Sequence, residues 1–133
     1  MLLCLAMLIA FSQYDTAMSW ECRLILINDG PGASVGQISL EPATAWIEKG
    51  TCVVWVNRAR TSAPELIIKF RENQKCEEVT EAASGFKNVE GCYVTGALPP
   101  GGTSSLRFNQ AGTYTYQVQS GESMKAEGKI VVQ

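Results

Sequence analysis

Ser123 and Lys125 are the one close serine–lysine pair in a loop-like region of this 133-residue chain, and such a pair can activate a hydroxyl group. The usual general base near neutral pH is histidine, which the chain lacks entirely. A serine and a lysine at this spacing are common by chance, and no two carboxylates stand out as an acid–base pair. The sequence therefore predicts no catalytic residues, and we expect a protein that is not an enzyme.

The five cysteines are the next candidates, because cysteine thiolates bind soft metals and cysteines form disulfides. None falls at C-x-x-C spacing, which gives no support to thioredoxin-like redox chemistry, a zinc ribbon or covalent haem attachment. Cys76 and Cys92 flank a polar, loop-like stretch, so we predict a disulfide between them. Cys22 and Cys52 lie in strand-like runs, and the sequence leaves open whether they form a second disulfide or stay buried free thiols.

The N-terminal segment has the character of an export signal. Residues 2–12 form an apolar run of signal-peptide length, too short to cross a bilayer as a helix. Ala17 and Ser19 suit a cleavage site that leaves a chain beginning at Trp20, although no lysine or arginine precedes Arg23. We expect residues 1–19 to be a signal peptide or a retained hydrophobic segment. The protein is then extracytoplasmic, either periplasmic or secreted, where disulfides persist.

Composition restricts the size and the partners of the protein. The chain is 46% hydrophobic and 18% charged, which is ordinary globular composition, and residues 20–133 are enough for one domain. Eleven basic and thirteen acidic residues give a net charge of −2. Such a balance offers no cationic surface to a phosphate backbone, so we expect no nucleic-acid partner. Membrane contact is expected only through a retained N-terminal segment.

The elements that position these side chains are predicted to be strands. Stretches rich in Val, Ile, Tyr, Trp and Thr recur between Gly, Pro and Asn, and no window is typical of a long amphipathic helix. This pattern predicts nine strands that form two packed sheets. The predicted strands are Cys22–Ile27, Ile38–Leu40, Ala45–Ile47, Thr51–Val56, Leu66–Phe70, Cys92–Thr95, Thr103–Phe108, Thr113–Gln119 and Lys129–Val132. Residues 71–91 are polar and weakly periodic, which predicts a long surface loop with one helical turn around Cys76–Ala83.

Four segments carry a family resemblance: Thr44–Asn57, Leu98–Phe108, Ala111–Tyr116 and Gly128–Val132. The first has an apolar strand, a Lys-Gly turn and a V-x-W-x-N strand, and the last two contain G-T-Y-T-Y and G-K-I-V-V. In this order they resemble the cupredoxins, the plastocyanin-type blue-copper proteins. The resemblance implies an all-β, Greek-key β-sandwich.

The same resemblance implies that the chain lacks the copper ligands of the family. The position of the copper thiolate is Val118, the histidine three residues later is Gly121, and the first histidine would fall within Thr61–Glu65. A blue-copper site needs two imidazoles and one thiolate. Met124 lies near the axial-ligand position and is a weak candidate ligand. Valine extends an apolar face, so we expect the former metal pocket to be core, with no metal site and no cofactor.

The resulting hypothesis is a metal-free binding or structural module, with a protein partner in an envelope or extracellular complex. We expect contacts from the loops at the former copper end and from residues 71–91, with these residues as candidates: Arg58, Arg60, Pro64, Gly121 and Met124. A sulfur-ligated copper(I) carrier or electron-transfer protein is the alternative, and it needs a free cysteine near Met124. A third hypothesis is a small-molecule binder with an aromatic groove lined by Trp46, Trp55, Tyr93, Tyr114 and Tyr116.

Overall fold

A computed structural model describes residues 22–30, 37–60, 65–71, 80–120 and 123–133. These residues form eleven β-strands and contain no helix, so none of them belongs to a helix long and apolar enough to cross a bilayer. The strands are β1 (Arg23–Asp29), β2 (Ile38–Glu41), β3 (Thr44–Ile47), β4 (Thr51–Asn57), β5 (Ile67–Phe70), β6 (Thr80–Ser84), β7 (Phe86–Val89), β8 (Cys92–Thr95), β9 (Thr103–Phe108), β10 (Gly112–Ser120) and β11 (Ser123–Val132). The predicted strands are all present.

The described strands form two sheets. A five-stranded sheet has the order β2–β1–β4–β9–β6, and a six-stranded sheet has the order β3–β11–β10–β5–β8–β7. Most neighbours are antiparallel, whereas β1 is parallel to β4 and β3 is parallel to β11. These parallel pairs join strands that are distant in sequence, so the chain crosses between the sheets as in a Greek key. The predicted all-β Greek-key β-sandwich is confirmed.

The core lies between the sheets because the strands alternate buried and exposed positions. In β4, Val53, Trp55 and Asn57 are buried, and the residues between them are partly exposed. Trp55 packs edge-to-face against three rings, with centroid distances of 5.9 Å to Phe70, 5.4 Å to Phe86 and 5.4 Å to Tyr116. Such pairs stabilise a core beyond simple area burial. An aromatic cluster thus joins the two sheets at the centre of the domain.

The helical turn predicted around Cys76–Ala83 is wrong where the structure describes that stretch, because Thr80–Ser84 is β6. Residues 71–91 were expected to be loop, yet β6 pairs with β9 and β7 pairs with β8. Each is the edge strand of its sheet. An edge strand is held by main-chain hydrogen bonds on one side and needs little apolar patterning; in β7 only Phe86 is buried. Residues 72–79 lie outside the described residues.

Cys22 and Cys52 form a disulfide with a Cα–Cα distance of 4.7 Å, which answers the question that the sequence left open. The parallel register explains the pairing: Arg23, the first residue of β1, lies beside Val53 of β4, so the residues just before them, Cys22 and Cys52, are also neighbours. Buried Cys92 is disulfide-bonded as well. Its predicted partner, Cys76, lies outside the described residues, and the Cys76–Cys92 pairing stays a prediction.

Candidate functional site

Val118, at the position that matches the copper thiolate of cupredoxins, has no exposed surface. It lies in β10 between Ile68 of β5 and Ala126 of β11, its cross-strand neighbours. Tyr114 and Tyr116, on the same face of β10, are buried too, so Val118 extends an apolar face as the sequence predicts. The side chain at the position that the resemblance assigns to the copper thiolate is therefore aliphatic and lies inside the core.

The donor atoms of the chain do not fit a blue-copper centre. The sequence has no histidine, and the three described cysteines, Cys22, Cys52 and Cys92, are all disulfide-bonded. Of the segment Thr61–Glu65, where the first histidine would fall, Glu65 is described and is exposed. Within the described ranges no group of three His, Cys, Asp or Glu residues is placed to hold a metal ion. The two imidazoles that this centre needs are absent from the sequence.

The five aromatic side chains that were candidates for a ligand groove do not line one together. Trp55, Tyr93, Tyr114 and Tyr116 are buried, whereas Trp46 is 63% exposed on β3, an edge strand of the six-stranded sheet. Four of the five candidates for an aromatic ligand groove are thus parts of the core. The aromatic small-molecule hypothesis finds no support in this arrangement.

Tyr116 is the most strongly perturbed titratable group in the described part of the chain. Burial raises the pKa of its phenol to about 12, and an interaction with the Trp55 indole offsets part of that rise. Tyr116 Oη and Trp55 Nε1 are both buried without a hydrogen-bond partner, so the two groups are near each other but do not meet in hydrogen-bond geometry. The phenol stays protonated at neutral pH, which suits a packing role.

A cleft of about 620 Å³ lies at the end of the sandwich where β1 and β4 finish. Three segments form it: the end of β1, the connection after β4, and the turn before β9. The lining residues are Asn28, Asp29, Asn57, Arg58, Arg60, Pro100 and Gly101. The end of β10 that carries Val118 pairs with the start of β5, and Leu66, just before β5, is hydrogen-bonded to Leu98. Leu98 also accepts from Asn57 at the end of β4, so Val118 lies toward the end of the sandwich that carries this cleft.

Asn57 holds the floor of the cleft with both its main chain and its side chain. Its backbone N–H donates to Gly102 O at 2.9 Å, and its carbonyl accepts from Gly101 N at 2.6 Å. The buried side chain donates from Nδ2 to Leu98 O at 2.9 Å and accepts at Oδ1 from Ala59 N at 3.0 Å. These bonds connect the segment after β4 to the turn before β9. The floor is therefore fixed by the fold before any ligand is present.

Two arginines and one aspartate give the cleft its charge. Arg58 and Arg60 are exposed on either side of fully buried Ala59. The backbone N–H of Arg58 donates to Ile27 O at 2.8 Å, and that of Arg60 donates to both carboxylate oxygens of Asp29 at 3.1 Å. Both bonds reach back to β1, so the segment is anchored while the guanidinium groups remain at the surface.

The structure brings together part of the set of contact residues that the sequence predicts. Arg58 and Arg60 both line the cleft. Pro64 and Gly121 lie outside the described residues, and Met124 lies in β11, paired with Gln119, with no side-chain position described. The two arginines are thus the predicted contact residues whose neighbourhood is known.

Sequence reasoning missed Asp29 and Asn57 as members of the same site. Asp29 lies 31 residues before Arg60, and nothing local in the sequence joins them. Asn57 closes the V-x-W-x-N motif, so its position was visible, but its bonds to the turn before β9 span 41 residues or more. Both depend on the packing of β1, β4 and β9.

Comparison with known proteins agrees with this architecture. Plastocyanin from Scenedesmus fuscus is 32% identical over 102 residues, which cover 77% of this chain and 94% of that protein. The structure of amicyanin from Paracoccus versutus matches with a TM-score of 0.54 at 16% identity, covering 85% of this chain and 82% of amicyanin. An oxidized amicyanin mutant matches with a TM-score of 0.53 at 20% identity, covering 84% and 82% of the two chains. No family model matches the sequence.

The amicyanin structures share the fold with this chain. The plastocyanin match adds an alignment over most of both sequences. On this evidence the chain belongs to the plastocyanin family of cupredoxins.

Proposed function

We propose that this protein is an extracytoplasmic cupredoxin-like module that works without copper and binds a protein partner through the former copper end. The observation that carries the proposal is fully buried Val118 at the thiolate position, in a chain without histidine. A fold that keeps its strands and its loop end while its metal position is filled by valine still presents a rigid surface. In this proposal the protein has no catalytic role. It acts within the envelope or extracellular complex that contains its partner.

The disulfides support the extracytoplasmic part of the proposal. Cys22, Cys52 and Cys92 are all oxidised, and structural disulfides persist in periplasmic and secreted proteins. An apolar run at residues 2–12 is consistent with export.

The relatives favour a second candidate function, a sulfur-ligated copper(I) carrier or electron-transfer protein. Plastocyanin is similar to this chain in sequence, and one of the amicyanin structures that share its fold is a copper(I) form. Such a site needs thiolate or thioether sulfur close together. The described cysteines supply no thiolate, since all three are disulfide-bonded. We therefore place this function second.

Metal binding separates the two candidates directly. The full chain, purified under oxidising conditions, is incubated with copper(II) and separately with copper(I) under argon, then dialysed and assayed for bound metal. We expect far less than one copper per chain and no strong visible absorption band. One retained copper(I) per chain that is lost after thiol alkylation would overturn the metal-free proposal and favour the sulfur-ligated carrier.

Site-specific crosslinking tests the docking part. A photoreactive amino acid replaces Glu65, beside the cleft end, in the full chain expressed in its native host; a second variant carries it at Lys49, in the turn between β3 and β4 at the opposite end. We expect one stoichiometric crosslinked protein from position 65 and none from position 49. Equal crosslinking from both positions, or none from position 65, would contradict docking through the former copper end.

A further inference from the structure

The two guanidinium groups at the cleft are cations without a partner in the described structure. Arg58 and Arg60 are both exposed and both line the cleft, and neither forms an ion pair with any described residue. Two exposed arginines so close in sequence repel each other weakly, and an anion bound beside both lowers that repulsion. An anion bound there gains charge-assisted hydrogen bonds from both groups.

The charge of the cleft is positive although the chain as a whole carries −2. The lining residues include two arginines and a single carboxylate, that of Asp29. Both oxygens of this carboxylate accept the backbone N–H of Arg60. Asp29 is therefore engaged in holding the main chain of Arg60, and the two arginines give the described lining of the cleft a net positive charge.

The lining also indicates which kind of anion fits. Pro100 is the one apolar side chain that lines the cleft in the described residues, so an apolar ligand would find little surface to bury. A volume of about 620 Å³ is larger than one acidic side chain needs and has room for neighbouring residues of an extended peptide. Guanidinium groups match planar carboxylates with two parallel hydrogen bonds. The rigid floor at Asn57 and Gly101 reduces the ordering cost of binding.

We infer that this cleft binds carboxylate groups between Arg58 and Arg60, and that their source is an acidic segment of a protein partner. The inference rests on the proposed docking function and adds the chemistry of the docked element. Arg58 and Arg60 are the anchors, and Asn57 and Asp29 are positioning residues that hold the two anchors in place. Arginine is among the residue types that dominate interface energies.

Peptide titration of the full chain tests the inference. The probe is a peptide of four glutamates with blocked ends, and the references are the matching glutamine peptide and free citrate. Binding is measured by isothermal titration calorimetry on the wild type and on an Arg58→Gln/Arg60→Gln variant. The control is Arg23→Gln/Lys49→Gln, which removes the same charge from exposed residues at the opposite end of β1 and in the turn before β4.

We expect the glutamate peptide to bind about tenfold more weakly to the Arg58→Gln/Arg60→Gln variant, and within about twofold of wild type to the control. Asp29→Asn removes the competing charge while its amide oxygen still accepts the Arg60 N–H, so binding should become a few-fold tighter. Binding should also weaken as salt is raised from about 50 to about 300 mM. Circular dichroism in the near ultraviolet checks that each variant keeps its folded aromatic core.

Three results would overturn the inference. Equal loss of affinity in the cleft variant and the control would show a general charge effect. Citrate binding as tightly as the glutamate peptide would overturn the protein segment as the source of the carboxylate. An unchanged crosslink from position 65 in the Arg58→Gln/Arg60→Gln variant would show that the partner docks without using the two arginines. That result would contradict this inference but not the proposed docking function.

Discussion

The ring of Tyr116 in β10 lies directly against Gly128 in β11, the residue paired with it across the two strands. A Cβ at position 128 would overlap the Cζ, Oη and Cε1 atoms of that ring. Glycine thus leaves the space in which the phenol lies across its neighbouring strand and reaches Trp55. Gly128, the glycine of the G-K-I-V-V segment, is therefore needed for the packing of Tyr116, independently of any metal.

Replacing Gly128 with alanine should destabilise the domain by about 3 kcal/mol, because the added methyl group displaces a fully buried ring. Urea unfolding followed by tryptophan fluorescence measures the change. Gly96→Ala is the matched control, since a Cβ there meets no atom within 4 Å, and its midpoint should stay at the wild-type value. Equal midpoints for Gly128→Ala and the wild type would contradict the packing described for Tyr116.

Stability should fall as pH rises from 10 to 12, because the pKa of Tyr116 is raised from 10.0 to about 12 in the folded protein. Above pH 10 the unfolded chain releases the phenol proton while the folded protein keeps it, so ionisation favours unfolding. Two pKa units correspond to about 2–3 kcal/mol. The contribution of this pKa difference to the free energy of unfolding is complete below pH 10 and is lost as the pH rises to about 12.

Tyr116→Phe tests this pH dependence by removing the titrating group. Its unfolding free energy should decline less between pH 10 and 12, with a remainder from Tyr114, whose pKa burial also raises. At pH 7 the variant should be as stable as the wild type or slightly more so, because it deletes a buried hydroxyl that has no partner. An unchanged slope in this pH range would show that Tyr116 does not titrate as described.

Asn57→Ala should destabilise the protein by about 2–4 kcal/mol, since it removes two buried hydrogen bonds and leaves Ala59 N without its acceptor. The comparison is Asn88→Ala, which also loses a bond from a backbone N–H, that of Gly91, but at an exposed turn. We expect less than about 1 kcal/mol there. Similar losses for the two variants in thermal unfolding would argue against Asn57 as the support of the cleft.

Removing the Cys22–Cys52 disulfide should cost about 3–4 kcal/mol, because the bond closes a loop between residues 30 apart in sequence. The variant Cys22→Ser/Cys52→Ser is compared with the wild type in urea, with and without reductant. Reductant should lower the stability of the wild type by more than that of the double variant. If the two oxidised proteins unfold at the same urea concentration, the bond contributes nothing to stability.

The strands were predictable where one face is buried, and the structure shows why the others were not. Trp55, Tyr116 and Val118 alternate with less buried residues, and the period-two pattern of their strands is visible in the sequence. β6 and β7 are edge strands held mainly by their neighbours, and polar residues such as Lys87 and Asn88 suit an exposed edge. Their pairing is a property of the assembled sheet.

Of the residues that line the cleft, the sequence predicted Arg58 and Arg60 as contact residues, but it did not predict how the site is arranged. Arg58 and Arg60 stood out as charges in a loop next to a recognisable strand. Asp29 joins them through the parallel pairing of β1 with β4, and the same pairing sets Cys22 beside Cys52. Registers between strands distant in sequence follow from how the whole sandwich packs, which no local pattern records.

The Cys22–Cys52 bond also determines how the domain carries a mechanical load. A pulling force applied to the chain before Cys22 enters at that residue and crosses the sulfur–sulfur bond to β4, the central strand of the five-stranded sheet. β1 is bypassed, and it cannot be peeled away from this end one hydrogen bond at a time. The load is instead carried by the two rows of hydrogen bonds that join β4 to β1 and to β9, which must give way together.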